Sequence, residues 1–336
     1  MNGLLEVRGL NVELPTAAGW VRPVNEVSLR IAVGESLGLV GESGSGKTML
    51  ALALMGLLPP GARVSGTARL QVEGVQEVHQ AKQDREALLG GRSLVGLDER
   101  DWRQVRGREI AMVFQEPMTA LNPVMRIGAQ IEEAIRAHHA RMPAGEVRRR
   151  MRDALGRAAV SETEVRAEQF PHQLSGGLRQ RAMIAMALAG GPRLLIADEP
   201  TTALDVTVQK QILDLLDLLR RELQLGLLFI THDLGVVAQV ADRVAVMYAG
   251  RIVEEGPART VLQAPRHPYT QGLLAASPTL ERGKLTPIPG TVPQLTALPP
   301  GCAFEPRCAV RVALCTRNVP ELRYVSSGHA ARCILI

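Results

Sequence analysis

Gly41-Glu42-Ser43-Gly44-Ser45-Gly46-Lys47-Thr48 is the stretch that decides the fold. It satisfies the pattern G-x-x-x-x-G-K-[ST], a loop whose glycines let the backbone N–H groups turn inward around an anion. The flanks agree with that reading. Ser36-Leu37-Gly38-Leu39-Val40 before it is a short apolar run of strand length. After it, an apolar helix is expected from Lys47 to about Leu58, stopped by Pro59-Pro60-Gly61. A glycine-rich turn between a strand and a helix N-terminus is a phosphate site, because the first-turn N–H groups and the helix dipole both favour negative charge. Lys47 is expected to reach the β- and γ-phosphates of a nucleotide and Thr48 to ligate Mg2+.

Working outward, Leu194-Leu195-Ile196-Ala197-Asp198-Glu199-Pro200 is a buried strand that ends in adjacent carboxylates. An apolar run before Asp-Glu is weak alone, but downstream of a phosphate loop it gains meaning. Asp198 is expected to hold Mg2+ through water, and Glu199 to act as general base on the attacking water. Leu5, Val7, Leu10, Val12 and Leu14 alternate as a strand does, and residues 27–40 read as a further strand pair. Leu227–Ile230 and Arg243–Tyr248 read as further buried strands, and Val206–Leu223 as a helix. Short apolar strands between helices predict an α/β domain with a mainly parallel sheet. Residues 75–108 are polar and read as loops and short helices, and 128–190 as helix-rich.

Leu174-Ser175-Gly176-Gly177-Leu178-Arg179-Gln180 places a hydroxyl and free N–H groups at a helix start, a second anion-binding device. At these residues the chain resembles the ABC ATPase family. Leu178 is a mild departure, since Gln or Met usually follows the two glycines. The resemblance implies a parallel-sheet core, an antiparallel β subdomain and a helical subdomain at about 116–190. It implies that Ser175, Gly176 and Gly177 bind the γ-phosphate of ATP held by the phosphate loop, Gly41 to Thr48, of a second ATPase subunit, identical or not. By the same resemblance Gln115 is the Q-loop contact to Mg2+ and water, Asp205 the D-loop residue at the dimer interface, and His232 the switch histidine on the γ-phosphate. Catalysis would then rest on Glu199, His232 and Gln115. An aromatic residue usually stacks on adenine in this family. Trp20 is the candidate here, one or two residues late in register.

Phe114-Gln115-Glu116-Pro117-Met118-Thr119-Ala120-Leu121-Asn122-Pro123 and Asp198-Glu199-Pro200-Thr201-Thr202-Ala203-Leu204-Asp205-Val206-Thr207 are similar to the ATPases of oligopeptide and dipeptide importers. His267-Pro268-Tyr269-Thr270 resembles the C-terminal extension of that group. The main departure is at 75–93, where this chain is longer. A composition shift near Gly256, with ten of the 21 prolines at 257–306, divides an ATPase domain at 1–256 from a loop-rich extension at 257–336. All four cysteines, Cys302, Cys308, Cys315 and Cys333, fall in that extension. Neither zinc-ribbon nor ferredoxin spacing is met. The pattern resembles a subset of peptide-importer ATPases with a [4Fe–4S] cluster, and the spacing leaves iron–sulfur, zinc and no metal open.

Composition limits the rest. The chain has 336 residues, 46% hydrophobic and 22% charged, with a net charge of +5. No basic stripe with interleaved aromatics occurs, so no nucleic-acid partner is expected. There is neither an 18-residue apolar run nor a signal-peptide pattern at Met1 to Glu6. The resemblance therefore implies a peripheral subunit on the cytoplasmic face of a bacterial inner membrane. Its expected partners are two permease subunits, docked around Met118–Ile131, and, indirectly, an extracytoplasmic solute-binding protein. The alternatives are an accessory ATPase of a cytosolic complex of the carbon–phosphorus lyase type, which would lack the cysteine tail, and a DNA-maintenance ATPase. The latter carry long coiled-coil or zinc insertions, whereas only about 127 residues separate Thr48 from Ser175.

Overall fold

Alternation along each buried strand divides the interior in two. Leu194 and Ile196, Leu228 and Ile230, and Ala245 and Met247 face one core, while Leu195 and Ala197, and Leu227 and Phe229, face another. Strands of this kind are covered on both faces, which is why their sequences read as unbroken apolar runs.

The computed structural model describes residues 3–17, 19–71, 91–202, 204–277 and 286–336. The expected insertion at 75–93 lies outside them up to residue 90. The chain opens with a hairpin, β1 (Gly3–Thr16) and β2 (Gly19–Ala32), then β3 (Ser36–Val40) and α1 (Lys47–Leu54). β4 (Arg63–Leu70) and β5 (Arg92–Ser93) complete an antiparallel sheet of order β2-β1-β4-β5. Next come α2 (Glu99–Val105) and β6 (Ile110–Val113), then the helices α3 (Pro117–Ala120), α4 (Ile127–His138), α5 (Ala144–Arg157), α6 (Thr163–Ala167) and α7 (Gly176–Leu188). The chain continues through β7 (Leu194–Asp198), α8 (Val206–Leu223), β8 (Gly226–Thr231), α9 (Leu234–Val240), β9 (Arg243–Tyr248), β10 (Arg251–Pro257), α10 (Ala258–Gln263) and α11 (Pro268–Ala275). β11 (Arg323–Ser326) and β12 (His329–Ala331) end it.

The second sheet runs β11-β12-β10-β9-β3-β8-β7-β6. From β9 to β6 its pairs are parallel, and its other edge is antiparallel. This is the α/β fold expected from sequence. The second strand begins at Gly19 instead of residue 27, because β1 and β2 pair along almost their whole length, from Gly3↔Ala32 to Thr16↔Gly19. The first helix ends at Leu54, not Leu58, and its last turn closes through Met55 N to Ala51 O at 3.1 Å. α8 has the bounds expected. Asp205 Oδ1 caps it by accepting from Val208 N at 2.9 Å, Arg220 and Arg221 sit at its negative end, and Ile212, Leu213, Leu215, Leu216 and Leu219 form its buried stripe.

Residues 257–336 pack onto the same sheet. β12 pairs with β10 (Glu254↔Ala331), and Phe304 and Tyr269 share a buried cluster with Tyr248 and Val40. A buried carboxylate fixes this seam. Glu254 is fully buried; its Oε1 accepts from Arg266 N at 2.7 Å, its Oε2 from His267 N at 2.9 Å, and His329 Nε2 lies 2.8 Å from Oε1. His267 is itself buried, and burial pulls its imidazole down to about 3, so it stays neutral and its Nδ1 accepts from Tyr269 N. Removing the Glu254 carboxylate strands three polar groups at once. Glu254→Ala is expected to destabilise the fold by about 3 kcal/mol, read as a lowered urea midpoint, with faster proteolysis between residues 257 and 336.

Candidate active site

The phosphate loop owes its shape to close approaches. Gly46 has φ 106°, and a Cβ there would meet the Pro23 carbonyl oxygen at 2.0 Å, so β2 itself demands glycine at this position. Inside the loop Ser45 is fully buried and Lys47 nearly so. Lys47 Nζ donates to Gly41 O at 2.7 Å, to Glu42 O at 3.0 Å and to Ser45 Oγ at 3.3 Å. Burial pulls the ammonium below its usual pKa, while Glu199, Asp198 and Glu42 push it back up.

At the end of β7, Asp198 is 2% exposed, with the Thr48 hydroxyl beside it. Burial pushes its pKa up, with Thr48 opposing. Its Oδ1 is buried with no hydrogen-bond partner. An orphaned carboxylate oxygen beside a threonine hydroxyl is the donor set that a hard divalent cation uses, so Thr48 and Asp198 fit Mg2+. Glu199 follows with φ 46°, unusual for a side chain of its size, and its N–H donates to Ile230 O at 2.9 Å. That turn aims its carboxylate sideways. Oε2 accepts from Thr202 Oγ1 at 3.0 Å and from Gln115 Nε2 at 3.3 Å, and lies 3.3 Å from His232 Nδ1. The His232 contact holds the Glu199 carboxyl below its usual pKa against burial, and the same contact raises the imidazole.

These residues surround one cavity of about 680 Å3 with Glu42, Ser43, Gly44, Gly46, Lys47, Thr48, Gln115, Glu199 and His232 in its wall. Of the candidates from the loop, Gly41 and Ser45 stand behind it, as does Asp198. Ser175, Gly176, Gly177 and Asp205 are not in that wall. Ser175 caps α7 by accepting from Leu178 N at 3.3 Å and is exposed, as is Asp205. A Cβ on Gly177 would meet Val208 Cγ1 at 2.8 Å, so glycine there lets α7 close on α8. Trp20 is also elsewhere. It pairs with Pro15 near the hairpin tip, 47% exposed, with the Arg63 guanidinium 3.9 Å over its ring. Pro23, three residues on and about 10 Å along the strand, lines the cavity instead. Sequence reasoning missed two further participants. Thr202, which bonds Glu199, sits in the quoted Asp-Glu-Pro-Thr-Thr run and could have been found there. Leu295 lines the cavity from the proline-rich extension, and no local signal marks it.

The four cysteines are free thiols, and Cys302 N donates to Cys315 O at 2.8 Å. Burial pushes the Cys302 and Cys308 thiols up, and the neighbouring sulfurs add to it. Among the described residues no three His, Cys, Asp or Glu side chains are arranged to hold a metal ion. The expected [4Fe–4S] centre therefore finds no support in this arrangement.

The fold and this cavity can now be set against known proteins. Residues 24–202 match the family described as "ABC transporter", and residues 253–315 match "Oligopeptide/dipeptide transporter, C-terminal region". The chain belongs to the ABC transporter family. A Brucella ovis protein that carries the name peptide import ATP-binding protein is 48% identical over 98% of this chain and 96% of its own length. A Brucella suis protein of the same description is 46% identical over 98% and 94%. Among solved structures, the dimeric ATP-binding cassette MJ0796 in a post-hydrolysis state with ADP and Pi matches with a TM-score of 0.63. It is 26% identical and covers 76% of this chain and 99% of that one. A cassette of the Clostridium perfringens cbiONQ complex, cbiO1, gives the same TM-score at 25% identity, covering 79% and 92%. This ABC chain is an ATPase subunit of a transporter, and no helix among its described residues is long and apolar enough to cross a membrane.

The Glu199–His232 pair carries a pH signature. Because the carboxyl is lowered and the imidazole raised, the ion pair exists between those two values. It is lost as pH rises through the folded His232 value or falls through that of Glu199. NMR titration is expected to place His232 above 6.5, and to bring it back down in Glu199→Gln; an unchanged imidazole in that variant means the two groups do not interact.

Proposed function

We propose that this chain hydrolyses ATP at the cavity behind residues 41–48 and uses the cycle to drive uptake of di- or oligopeptides through partner permeases. The observation that carries the ATPase half is the meeting of Lys47, Thr48, Glu199, Gln115 and His232, drawn from four separate segments, around one cavity of nucleotide size, with Asp198 beside Thr48 behind its wall. The loop N–H groups and Lys47 take the β- and γ-phosphates. Mg2+ at Thr48 and Asp198, with Gln115 beside it, would neutralise charge on the phosphate oxygens. Glu199 accepts a proton from the attacking water. His232 steadies that carboxylate and reaches toward the γ-phosphate from the end of β8.

The cavity has loop residues on one side only. Ser175, Gly176 and Gly177 present an anion-binding helix start away from it. Phosphoryl transfer needs charge stabilised around the whole γ-phosphate and water excluded. Two ATPase subunits facing head to tail meet both needs, each closing the other's cavity with its signature helix. The dimeric, ADP- and Pi-bound cassette that this fold resembles supports that arrangement. Closure is then tied to ATP and reopening to hydrolysis. Met118 and Val124, 49% and 79% exposed just beyond Gln115, offer apolar side chains for a permease to grip. Peptide as the cargo rests on the match of residues 253–315 and on the names of the relatives. On this reading the chain sits on the cytoplasmic face of the inner membrane, with an extracytoplasmic binding protein delivering the solute.

Glu199→Gln is expected to keep ATP binding and lose hydrolysis by about two orders of magnitude or more, measured in the assembled importer. Near-normal turnover would remove Glu199 from the role of base. Iron analysis of anaerobically purified chain settles the tail: about four irons per chain would establish a cluster, and colourless, iron-free protein would leave four thiols.

A further inference from the structure

The second residue of the phosphate loop is an acid. Glu42 lines the cavity in which a polyphosphate is proposed to sit, and its side chain remains 31% exposed. A bare carboxylate at that rim would repel the ligand. Arg307, from the short turn Glu305–Arg307 of the extension, meets it with both arms: Nη1 donates to Oε2 at 2.7 Å and Nη2 to Oε1 at 3.0 Å. The guanidinium is pinned in turn. Its Nε donates to Pro289 O at 2.9 Å, its side chain is 4% exposed, and Tyr248 and Phe304 lie against it. The peptide of Glu42 is gripped from both sides. Its N–H donates to Tyr269 Oη at 2.8 Å and its carbonyl accepts from Lys47 Nζ at 3.0 Å. Leu295 adds an apolar contact to the cavity from the same extension.

We propose that Arg307 is a positioning residue of the nucleotide site, which neutralises Glu42 and holds it in a two-toothed ion pair so that the phosphate loop accepts a polyanion. The ATPase domain alone then lacks part of its own nucleotide site, and the C-terminal extension supplies it in cis. A planar fork matching a carboxylate is the geometry that arginine provides and lysine does not. The inference rests on the assignment of residues 41–48 as the nucleotide site.

Titration calorimetry of the full chain with MgATP and with MgADP tests it. Arg307→Met is expected to weaken MgATP about tenfold (about 1.4 kcal/mol) and MgADP less, since the penalty scales with phosphate charge. Arg307→Lys falls between. Adding Glu42→Gln to Arg307→Met removes the uncompensated charge and restores most of the affinity. A scaffold role alone would lower the unfolding midpoint and leave the ATP-to-ADP ratio unmoved. Unchanged MgATP affinity in folded Arg307→Met, or a double variant no better than the single one, overturns the proposal. Should Arg307→Met not fold, Glu42→Gln alone decides: it is expected to bind MgATP at least as tightly as the unaltered chain, and weaker binding overturns the proposal. Lys47→Ala separates the two levels. Retained MgATP binding there discards the site at 41–48 itself; lost binding there, with Arg307→Met unaffected, discards only the role of Arg307.

Discussion

Parallel pairing of β3, β8 and β7 is the constraint from which the site follows. Val40 lies opposite Thr231, and Asp198 opposite Ile230. All three strands therefore finish at one edge, and the residues that come next, Gly41, Glu199 and His232, emerge side by side. Parallel strands cannot be joined by tight turns, so each needs a helical crossover. The crossovers remove the intervening chain from that edge and leave room for a ligand. A slip of one residue in β7 would turn Asp198 to the opposite face and bury Glu199 in its place. Complete burial of Leu194 to Ala197 on both faces makes such a slip costly, so the core fixes the chemistry by fixing the register.

The charges brought to that edge are not at ease there. Asp198 and Lys47 are both desolvated, one pushed toward its neutral acid and the other toward its neutral amine. Lys47 is held charged by Glu199 and Asp198, and Asp198 by Thr48 and Lys47, while the neighbouring Glu199 pushes Asp198 further toward its acid. Such a group of partly compensated charges has a deficit that a magnesium polyphosphate would fill: Asp198, with its orphaned oxygen, would hold the metal, and Lys47 and the loop N–H groups the phosphates. Glu199 is treated differently. Three side chains converge on one of its oxygens, and it stays ionised, as the base proposed for it would have to. Two adjacent carboxylates thus acquire opposite tendencies from their surroundings.

What could be read in the sequence was what is local. The phosphate loop, the strand ending in Asp198 and Glu199, the helix Val206–Leu223 and the parallel character of the sheet all follow from spacing within a few residues. Helix and strand ends were less legible, since the hairpin at Gly19 is made by cross-strand pairing and not by any pattern in residues 19–26. The contacts across long separations left no trace. Glu42 and Arg307 lie 265 positions apart, and Glu254 and His329 lie 75 apart. Composition suggested a boundary near Gly256, because prolines and loops begin there. It could not reveal that this segment returns to extend the same sheet and to reach the phosphate loop. Trp20 drew attention as the aromatic nearest the expected position, yet strand geometry carries it to the hairpin tip.

The exposed helix start at Ser175 gives the architecture its last requirement. Its residues lie outside the wall of the cavity beside Lys47, and α7 is held against α8 by the close approach at Gly177 and Val208. Rotating it onto its own cavity would break that packing. On the proposed reading such a helix start would serve a polyphosphate held by a second subunit, since the cavity beside Lys47 is walled by other residues of this chain. One chain therefore carries two complementary halves that cannot meet within it. Association driven by nucleotide, as proposed above, would then follow from rigid packing. The extension also grips Glu42 at the rim of that cavity, so residues 289–307 and the proposed half-site form one packed unit.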